Sequence, residues 1–559
     1  MPEQPNARAA IDRSARIKRF AVYAVAIAGA VAGLLHWAAA GRAIVMPAAS
    51  SDRLPCISYS PFHRPGQSPL LRASVISRSQ IDADLAQIAR SFRCVRTYSV
   101  TQGLAELPPL ARKHGLKVLL GLWIGSDAAD VEIEIAQGIA VLKRDADVID
   151  AVIVGNEVLL RRDQTASALA GYLRRVRAAT SLPVTYADVW EFWLRYPELM
   201  AETSFVTVHI LPYWEDDPIP ADRAVDHVLA VYARVLAALP GKRVLIGETG
   251  WPSAGRQREG ALPSLVNQAS FIRNFTRIAQ ERALEYNLVE AYDQPWKRKL
   301  EGTVGGYWGY FDAQGAEKFA RSGPVAEDSL WQRGWIAAAL TAVGFVLLTA
   351  ASSGAAGLLL MLLSGVACGS ALWQGGVDLS RSARDSLELM VGGGTMVAAG
   401  LAAFYLARAL AAWCDGIAPG AVPAPIAGLP GWFMSNESKF NTRERTLGVL
   451  RFALLFAVAM VSLLLLADPR YREFPVAVFI VPACGYALLA LVAERRAATA
   501  PGPEECAIAV VIGATAIGIA WLEGWQNGQA LQWCGVCLVF SAAVIAPWLG
   551  ARARRNAPT

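Results

Sequence analysis

Short apolar segments rich in β-branched residues alternate with helix-like segments throughout residues 54–320. Strands that alternate with helices indicate a parallel sheet, because each parallel connection needs a crossover segment. Eight such units fit into this region of about 270 residues, which is a typical size for a closed eight-stranded barrel. The sequence therefore predicts an α/β fold, a (β/α)8 TIM barrel, at residues 54–320.

The fourth and seventh predicted strands each end in a glutamate. The fourth runs from Val148 into Gly155-Asn156-Glu157, and the seventh runs from Val244 into Gly247-Glu248-Thr249-Gly250-Trp251-Pro252-Ser253. A glutamate after one isolated strand is usually only a solvated strand end. The carboxyl ends of all barrel strands lie on one face, however, and two carboxyl groups about 5–5.5 Å apart are what a retaining glycosidase needs. The pair therefore favours catalysis at Glu157 and Glu248.

The two motifs resemble those of glycoside hydrolase family 17, the family of β-1,3-glucanases and β-1,3-glucan transferases. The resemblance covers about residues 54–320. It implies that Glu157 is the acid/base, that Glu248 is the nucleophile and that Asn156 binds the sugar 2-hydroxyl. Arg96 matches the family arginine that keeps the nucleophile ionised, and a purely structural salt bridge is the alternative for this residue.

The segment after the eighth strand, Asp293-Gln294-Pro295-Trp296-Lys297, resembles an acidic-amide-lysine stretch of the same family. This resemblance implies that Asp293, Gln294 and Lys297 contact the substrate. The plant members carry a glutamate where Gln294 stands, which argues against simple plant-type endoglucanase behaviour.

Aromatic residues cluster at the predicted strand ends, and the apolar faces of sugar rings stack on such side chains. We expect substrate contacts from Tyr59, Tyr98, Tyr213, Trp214 and Trp251. For about half of all the aromatic residues at the strand ends, packing in the core is the alternative. His209 ends the sixth predicted strand and is expected to line the same pocket. The aromatic residues at the predicted strand ends are Tyr59, Tyr98, Trp123, Trp190, Tyr213, Trp214, Trp251, Trp296 and Trp308.

The remaining composition argues against metal, cofactor and nucleic acid. The five histidines lack close spacing, so no zinc site is predicted, and no cofactor is expected. Much of the net charge of +6 lies in basic clusters beside apolar segments, so no nucleic-acid partner is expected. Cys56 and Cys94 are expected to be free core thiols rather than a disulfide. Cys534-Gly535-Val536-Cys537 falls in an apolar segment, where helix packing is favoured over redox chemistry.

The chain is 54% hydrophobic and only 18% charged, which is too apolar for an ordinary soluble enzyme. Residues 1–19 are basic, and residues 20–40 predict a transmembrane helix, with a cleaved signal peptide as the alternative. Residues 335–550 predict a seven-helix membrane domain, followed by a cytoplasmic tail at 551–559. The seven apolar stretches, of which the first and fifth are the shortest, are 335–351, 354–373, 388–412, 448–466, 475–493, 506–522 and 530–549.

Basic residues are enriched on the cytoplasmic side of membrane helices. The basic segment Arg13–Arg19 therefore predicts a cytoplasmic N-terminus and an exported barrel. The loop at Lys439–Arg445, the Arg495-Arg496 pair and residues 552–555 then also lie in the cytoplasm. The sequence predicts a multi-pass protein of a bacterial inner membrane, with the barrel facing the periplasm and the lipid bilayer as a partner.

The order of one helix, a barrel and seven helices is similar to rhizobial-type proteins proposed to add β-1,6 linkages to β-1,3-glucans. We therefore expect a membrane-anchored enzyme that cleaves β-1,3-glucan and transfers the glucosyl chain, with a separate membrane glucan synthase as a candidate partner. Two alternatives remain open. One is a simple endo-β-1,3-glucanase, and the other is a non-enzymatic glucan-binding or export protein.

Overall fold

The computed structural model describes residues 5–49, 53–417, 422–426, 441–492 and 500–555. The chain divides into two compact units, of which one comprises Ala43–Val325 and the other comprises Met1–Arg42 together with Ala326–Thr559. The first helix, α1, spans Pro5–Ala40 and belongs to the second of these units.

The unit Ala43–Val325 contains a closed barrel of eight parallel strands in sequence order. The last strand pairs with the first, where Ile57 lies opposite Leu288. This finding confirms the predicted (β/α)8 barrel. The strands are β1 (Leu54–Ser58), β2 (Phe92–Arg96), β3 (Lys117–Leu122), β4 (Ile149–Asn156), β5 (Val184–Val189), β6 (Val206–His209), β7 (Val244–Thr249) and β8 (Tyr286–Leu288).

Helices follow the strands and cover the barrel with their apolar faces. Four of them begin at a side chain that accepts a hydrogen bond from the first turn, namely Ser77, Asp127, Thr165 and Ser264, which is the usual way to satisfy free amides there. The helices of this unit are α2 (Arg78–Ile88), α3 (Leu107–Lys113), α4 (Ala128–Asp145), α5 (Ala166–Ala179), α6 (Trp190–Arg195), α7 (Ala224–Ala238), α8 (Leu265–Glu281) and α9 (Arg298–Gly305).

The eighth strand, β8, spans only Tyr286–Leu288. Beyond Leu288 the Val289 amide still donates to the Thr249 carbonyl of β7 at 3.0 Å and the Ala291 amide to the Ser58 carbonyl of β1 at 2.8 Å, and the segment also pairs with a later one. The Glu290 carbonyl accepts the Tyr310 amide at 2.7 Å, and the Ala291 carbonyl accepts the Phe311 amide at 2.8 Å. This pairing carries the chain after β8 across the end of the barrel.

Cys56 and Cys94 form a disulfide, so the prediction of free thiols is wrong. The two residues are direct register partners on the neighbouring strands β1 and β2, with their Cα atoms 4.4 Å apart. Cysteines at that separation can be bridged without moving the backbone. Strand register depends on long-range pairing, and spacing along the chain does not reveal it.

The second unit is helical, and each of the seven predicted apolar stretches forms a helix. Within the described residues, six helices are long and apolar enough to cross a membrane: α1 from Arg13 and five of the later ones. The two shorter helices, α10 and α14, correspond to the shortest predicted stretches. The later helices are α10 (Gln332–Leu347), α11 (Ala355–Ser382), α12 (Ser386–Cys414), α13 (Thr442–Ala467), α14 (Val476–Val492), α15 (Pro503–Glu523) and α16 (Gly528–Arg555).

The first helix packs closely against α11. The hydroxyl of Tyr23 donates to the Ala356 carbonyl at 2.7 Å, and the indole of Trp37 donates to the Ser370 hydroxyl at 3.0 Å. A Cβ atom at Gly33 would lie 2.7 Å from Oγ of Ser370, so only glycine permits this approach. Small residues at such contacts are typical of helices packed within membranes.

Two charged residues lie inside the helical unit as a pair. Arg451 of α13 and Glu505 of α15 are both buried, and their side chains form two hydrogen bonds, of 2.8 and 3.0 Å. Buried charges are tolerated when they are paired in this way. Several residues expected on the cytoplasmic side, namely 1–4, 439–440, 495–496 and 556–559, lie outside the described residues.

Candidate active site

Glu157 and Glu248 meet at the carboxyl end of the barrel. Glu157 is the first residue after β4, and its φ of +52° turns the backbone sharply away from the strand. The Glu157 amide donates to the Ala187 carbonyl at 2.8 Å, which holds this turn against β5. Glu248 lies within β7, one residue before its end. The barrel thus supplies both carboxyl groups from rigid strand ends.

The two carboxyl groups lie close enough for direct attack on a shared sugar. One oxygen of Glu157, one oxygen of Glu248 and one ring nitrogen of His209 all lie within 4.8 Å of one another. Retaining glycosidases hold their carboxyl groups about 5–5.5 Å apart, whereas inverting enzymes need about 6.5–9.5 Å to admit water. The separation therefore fits the shorter spacing of a retaining mechanism better than the longer spacing of an inverting one.

Glu248 is buried, and hydrogen bonds hold it as a carboxylate. Its Oε1 accepts from Nη1 of Arg96 at 2.8 Å and from the hydroxyl of Tyr98 at 2.8 Å. Burial works to raise the pKa of Glu248, but the positive charges of Arg96 and Lys297 and the hydrogen bond from Tyr98 act together to lower it, and the pKa lies below its ordinary value. A carboxylate that stays ionised suits a nucleophile.

Tyr98 donates to this carboxylate because it stays protonated. Burial, followed by the charge of Glu248, raises the pKa of the Tyr98 phenol well above its usual value. The Arg96 guanidinium also lies 4.8 Å from the centre of the Tyr98 ring. Tyr98, which was expected to contact substrate, therefore contacts the proposed nucleophile directly.

Arg96 connects the strands that carry the two glutamates. Its guanidinium donates to the Gly247 carbonyl at 2.9 Å, to Glu248 and to the side-chain oxygen of Asn156. The residue is fully buried, so its charge acts in surroundings that screen it poorly. A purely structural salt bridge was the alternative for Arg96. Its salt bridge is in fact made with Glu248, the proposed nucleophile, so the two possibilities are one interaction. Asn156, in turn, is positioned by Arg96 beside Glu157.

His209 bridges the two carboxyl groups from the end of β6. Its Nδ1 lies 2.9 Å from Oε1 of Glu157, and its Nε2 lies 3.7 Å from Oε1 of Glu248. Nη1 of Arg96 lies 3.4 Å from Nε2 and can only donate, so we assign the ring proton to Nδ1. His209 then donates to Oε1 of Glu157, which leaves the other oxygen of Glu157 for proton transfer.

The two glutamates differ in exposure. The side chain of Glu157 is 23% exposed, and that of Glu248 is 9% exposed. The more accessible carboxyl group suits contact with a leaving group or an incoming acceptor. The enclosed one suits attachment to the sugar.

One acid beside the site, Glu290, was missed from the sequence, and it pairs with Lys297, which was expected to contact the substrate. Glu290 follows β8 and accepts a hydrogen bond from Nζ of Lys297 at 2.9 Å. Burial raises the pKa of Glu290 to about 7, although the Lys297 charge opposes this. Burial disfavours charged Lys297, but the charges of Glu290 and Glu301 outweigh it and raise the pKa of Lys297 above its usual range.

Glu301, on α9, also lies in this electrostatic group. Burial raises the pKa of Glu301, and the charges of Glu157 and Glu248 add to the shift while Lys297 opposes it. Lys297 therefore balances several carboxyl groups rather than one. In the sequence, Glu301 follows Lys297 by about one helical turn. That spacing could have indicated that the two charges interact.

Asp188 holds the turn that follows Glu157 and was also missed. Its Oδ2 accepts from the amides of Leu159 and Leu160, at 3.3 and 3.4 Å, and from the hydroxyl of Tyr186. Burial raises the pKa of Asp188 to about 6, and the charge of Glu157 adds to the shift. Strand five ends in an acid as strand four does, and that repetition was the overlooked signal.

Asp293 and Gln294 tie loops together. Asp293 accepts from Nζ of Lys318 and from the Gly309 amide, both at 2.8 Å, and burial raises its pKa to about 6 despite Lys318. Gln294 donates to the Ser60 carbonyl at 2.9 Å and accepts from the Trp296 indole at 2.8 Å. An ionised glutamate could not donate to that carbonyl, which explains the amide at this position.

The expected aromatic residues divide between core and surface. The Tyr59 hydroxyl donates to Asp84 at 2.8 Å, the Tyr213 hydroxyl donates to the Arg256 carbonyl at 2.8 Å, and the Trp251 indole donates to the Leu262 carbonyl at 3.2 Å. Tyr59, Tyr213 and Trp251 are all fully buried. Trp214 is half-buried and stacks parallel to Trp308, with the ring centres 6.4 Å apart.

Glu157, His209 and Glu248 are also residue types that ligate metal ions, and their spacing would admit one. The Glu248 oxygen, however, already accepts from the Arg96 guanidinium and from Tyr98. A cation at this oxygen would face a buried positive charge. We therefore attribute the positive charge beside Glu248 to Arg96. We propose no metal ion at Glu157, His209 and Glu248.

Comparison with known proteins finds relatives of the barrel. Residues 56–309 match the family model of the BtgE/BtgC glycoside hydrolase domain. A probable beta-glucosidase btgE of Neosartorya fischeri is 27% identical over 264 residues, which are 46% of this chain and 46% of the relative. A glucan 1,3-beta-glucosidase of Saccharomyces cerevisiae is 25% identical over 268 residues, which are 44% of this chain and 85% of the relative.

A putative glucan endo-1,3-beta-glucosidase btgC of Aspergillus niger is 25% identical over 283 residues, which are 45% of this chain and 40% of the relative. The chain spans about half the length of the first curated relatives that it matches. Among solved structures, a glycoside hydrolase family 17 β-1,3-glucanosyltransferase from Rhizomucor miehei has a TM-score of 0.42 and 25% identity. That match covers 48% of this chain and 97% of the other.

Proposed function

We propose that this chain, whose residues 56–309 match the model of the BtgE/BtgC glycoside hydrolase domain, is a membrane-anchored retaining enzyme that cleaves β-1,3-glucan and transfers the released glucosyl chain to a sugar acceptor. The observation that carries the proposal is the close approach of Glu157 and Glu248, whose oxygens lie within 4.8 Å. That separation supports formation of a covalent intermediate.

In the first step, an oxygen of Glu248 attacks the anomeric carbon while Glu157 gives its proton to the glycosidic oxygen. The bond between the anomeric carbon and the glycosidic oxygen breaks, and an ester to Glu248 forms with inversion. Arg96 and Tyr98 hold Glu248 ionised until it attacks. Asn156, placed by Arg96, is positioned to bind the sugar 2-hydroxyl.

In the second step, an acceptor hydroxyl attacks the anomeric carbon and Glu157 takes its proton. The ester to Glu248 breaks, a second inversion restores the original configuration, and Glu157 is again protonated. Attack by water gives hydrolysis, and attack by a sugar hydroxyl gives transfer. The hydrogen bond from His209 fixes Oε1 of Glu157, so the second oxygen of Glu157 carries the proton in both steps.

The substrate class rests on the names of the relatives. The S. cerevisiae relative is a glucan 1,3-beta-glucosidase, and the A. niger relative is a putative glucan endo-1,3-beta-glucosidase. Both names support β-1,3-glucan as the substrate here. Attack by the 6-hydroxyl of an acceptor would form a β-1,6 linkage, and a separate membrane glucan synthase would supply the substrate chain.

Transfer over hydrolysis is supported by a surface that suits an acceptor. Trp214 follows the end of β6, where His209 contacts Glu157, and stacks half-exposed on Trp308. A ring bound there raises the effective concentration of an acceptor hydroxyl against water. Transfer should therefore exceed hydrolysis when acceptor is plentiful.

The membrane location is supported by the six long apolar helices found in the described part of the chain and by the packing of α1 against α11. The disulfide between Cys56 and Cys94 supports an exported barrel, because disulfides persist in oxidising compartments. The basic residues before Phe20 favour a cytoplasmic N-terminus. We therefore place the barrel on the periplasmic side of a bacterial inner membrane.

The test is product analysis of the full-length protein in detergent with a β-1,3-linked pentasaccharide. Transfer predicts products both longer and shorter than the substrate, and methylation analysis then identifies the new linkage. The Glu248→Gln variant serves as the inactive control. Shorter products alone, even at high substrate concentration, would contradict transfer and leave an endo-β-1,3-glucanase. If no product forms at any substrate concentration, the proposal that this chain is an enzyme acting on β-1,3-glucan would be contradicted.

A further inference from the structure

Trp123 is the most exposed of the nine aromatic residues expected at the strand ends. It follows β3, on the face of the barrel that carries the two glutamates, and its side chain is 40% exposed. The others in that set are buried or half-buried. An exposed indole on a catalytic face calls for an explanation, because burying its apolar surface would be favourable.

One face of the Trp123 ring is covered by a fixed guanidinium. The Arg161 guanidinium lies 4.2 Å from the ring centre. Arg161 itself donates to the Asn156 carbonyl, to the Ile124 carbonyl at 3.3 Å and to Asp163 at 2.8 Å. Three acceptors therefore hold Arg161 in place, and the stacked ring is held with it.

The backbone of Trp123 is also fixed. Its amide donates to Oε1 of Glu134 at 3.1 Å. Glu134 is buried and also accepts from the Val100 amide and the Ser99 hydroxyl, both at 2.8 Å. One carboxylate thus joins the segments that follow β2 and β3. A ring that is already ordered loses little conformational freedom when it binds a ligand.

We propose that Trp123 is a stacking platform for a glucosyl ring of the bound chain, outside the unit that Glu248 attacks. The proposal rests on the proposed β-1,3-glucan substrate. All ring substituents of a β-glucosyl unit are equatorial, so its two faces carry only C–H groups and are apolar. Such a face fits the open side of an indole whose other side is already occupied.

Arg161 gives this platform a defined relation to the acid/base. Its side chain bonds the carbonyl of Asn156, and its amide donates to the carbonyl of Glu157 at 2.9 Å. Arg161 thus links the ring of Trp123 to the turn that carries Glu157. Trp123 is a binding residue in this proposal, and Arg161 is a positioning residue.

The test compares full-length wild type with Trp123→Ala, Trp123→Phe and Ile133→Ala on β-1,3-linked oligosaccharides of three to seven units. Ile133 is an exposed apolar residue on α4, in the same strand–helix unit, and is the matched control. We expect Trp123→Ala to raise KM for the longest substrates roughly tenfold, the effect of losing one stacked ring. Its effect on the trisaccharide should be smaller, and kcat should be unchanged.

Trp123→Phe should recover most of the loss, because a smaller ring still stacks, and Ile133→Ala should behave as wild type. A KM that stays constant at every length in Trp123→Ala, or a uniform fall in kcat at every length, would overturn the platform while leaving the proposed function intact. Wild type that is inactive on the whole series would overturn the proposed function and the platform with it.

Discussion

The hydroxyl of Tyr98 lies 2.8 Å from Oε1 of Glu248, the oxygen that also accepts a hydrogen bond from Arg96. Tyr98 was expected to stack on a sugar ring. Its hydroxyl also favours the ionised form of the proposed nucleophile, because donation to the charged form lowers the pKa of a carboxyl group.

Tyr98→Phe should therefore raise the pKa of Glu248. The acid limb of kcat/KM follows the ionisation of Glu248, so activity is lost as the pH falls through its pKa, and this limb should move to higher pH in the variant. A hydrogen bond to a charged group is worth about 1.5–3 kcal/mol, so kcat/KM on the acid side should fall roughly tenfold or more. A pH profile on a β-1,3-glucan oligosaccharide measures both.

Tyr59→Phe is the matched control, because the Tyr59 hydroxyl bonds Asp84 instead of a catalytic carboxylate. The acid limb of this variant should coincide with that of wild type. An acid limb that does not move in Tyr98→Phe would remove Tyr98 from the control of Glu248.

Glu157→Gln should lose activity according to the leaving group. General acid catalysis contributes typically 10²–10⁴-fold, and we expect a loss in that range on a β-1,3-glucan oligosaccharide. An aryl glycoside with an acidic phenol leaves without protonation, so its first step should be much less affected. Burst kinetics with such a substrate would show the intermediate accumulating. Equal losses on both substrates would contradict the acid/base role.

Cys56→Ser and Cys94→Ser should each destabilise the barrel by about 2–5 kcal/mol, the usual cost of losing a disulfide. Differential scanning fluorimetry of the purified full-length protein measures the change. Eight cysteines less the two in the disulfide leave six, so titration of thiols in denaturant should count six per chain in wild type. A count of eight without added reductant would show that the bond does not form.

The exported barrel can be tested with a membrane-impermeant maleimide. Ser126→Cys places a thiol in the exposed segment after β3, and Ser352→Cys places one between α10 and α11. In spheroplasts, Ser126→Cys should be labelled and Ser352→Cys should react only after lysis. The wild-type protein, which carries only the native cysteines, shows how much of the labelling comes from them. The opposite pattern would place the barrel in the cytoplasm.

The barrel was predictable because its signal is periodic and local. Each strand–helix unit has its own apolar segment, and closure of eight units brings the ends of β4 and β7 to one face. Glu157 and Glu248 could therefore be expected near each other before any distance was known. The helical unit was predictable for a similar reason, since each apolar stretch approaches the length needed to span a bilayer.

Pairing and side-chain orientation were not predictable. Cys56 and Cys94 meet because β1 and β2 pair in one register, which depends on the whole barrel. An aromatic residue at a strand end can point inward, as Trp251 does, or outward, as Trp123 does, and its position in the sequence is similar in both cases. Nothing in the sequence indicated that Gln294, expected to contact the substrate, donates a hydrogen bond to the Ser60 carbonyl.

The central claim is that Glu248 and Glu157 act as the two carboxyl groups of a retaining enzyme on β-1,3-glucan. The most direct measurement is proton NMR of the full-length protein in detergent with a β-1,3-linked pentasaccharide, recorded before the sugar anomers equilibrate, with Glu248→Gln as the blank. A double displacement predicts that every linkage formed by transfer is β and that every reducing end released by water appears first as the β-anomer. New reducing ends that appear first as the α-anomer would mean a single displacement by water and would contradict the account.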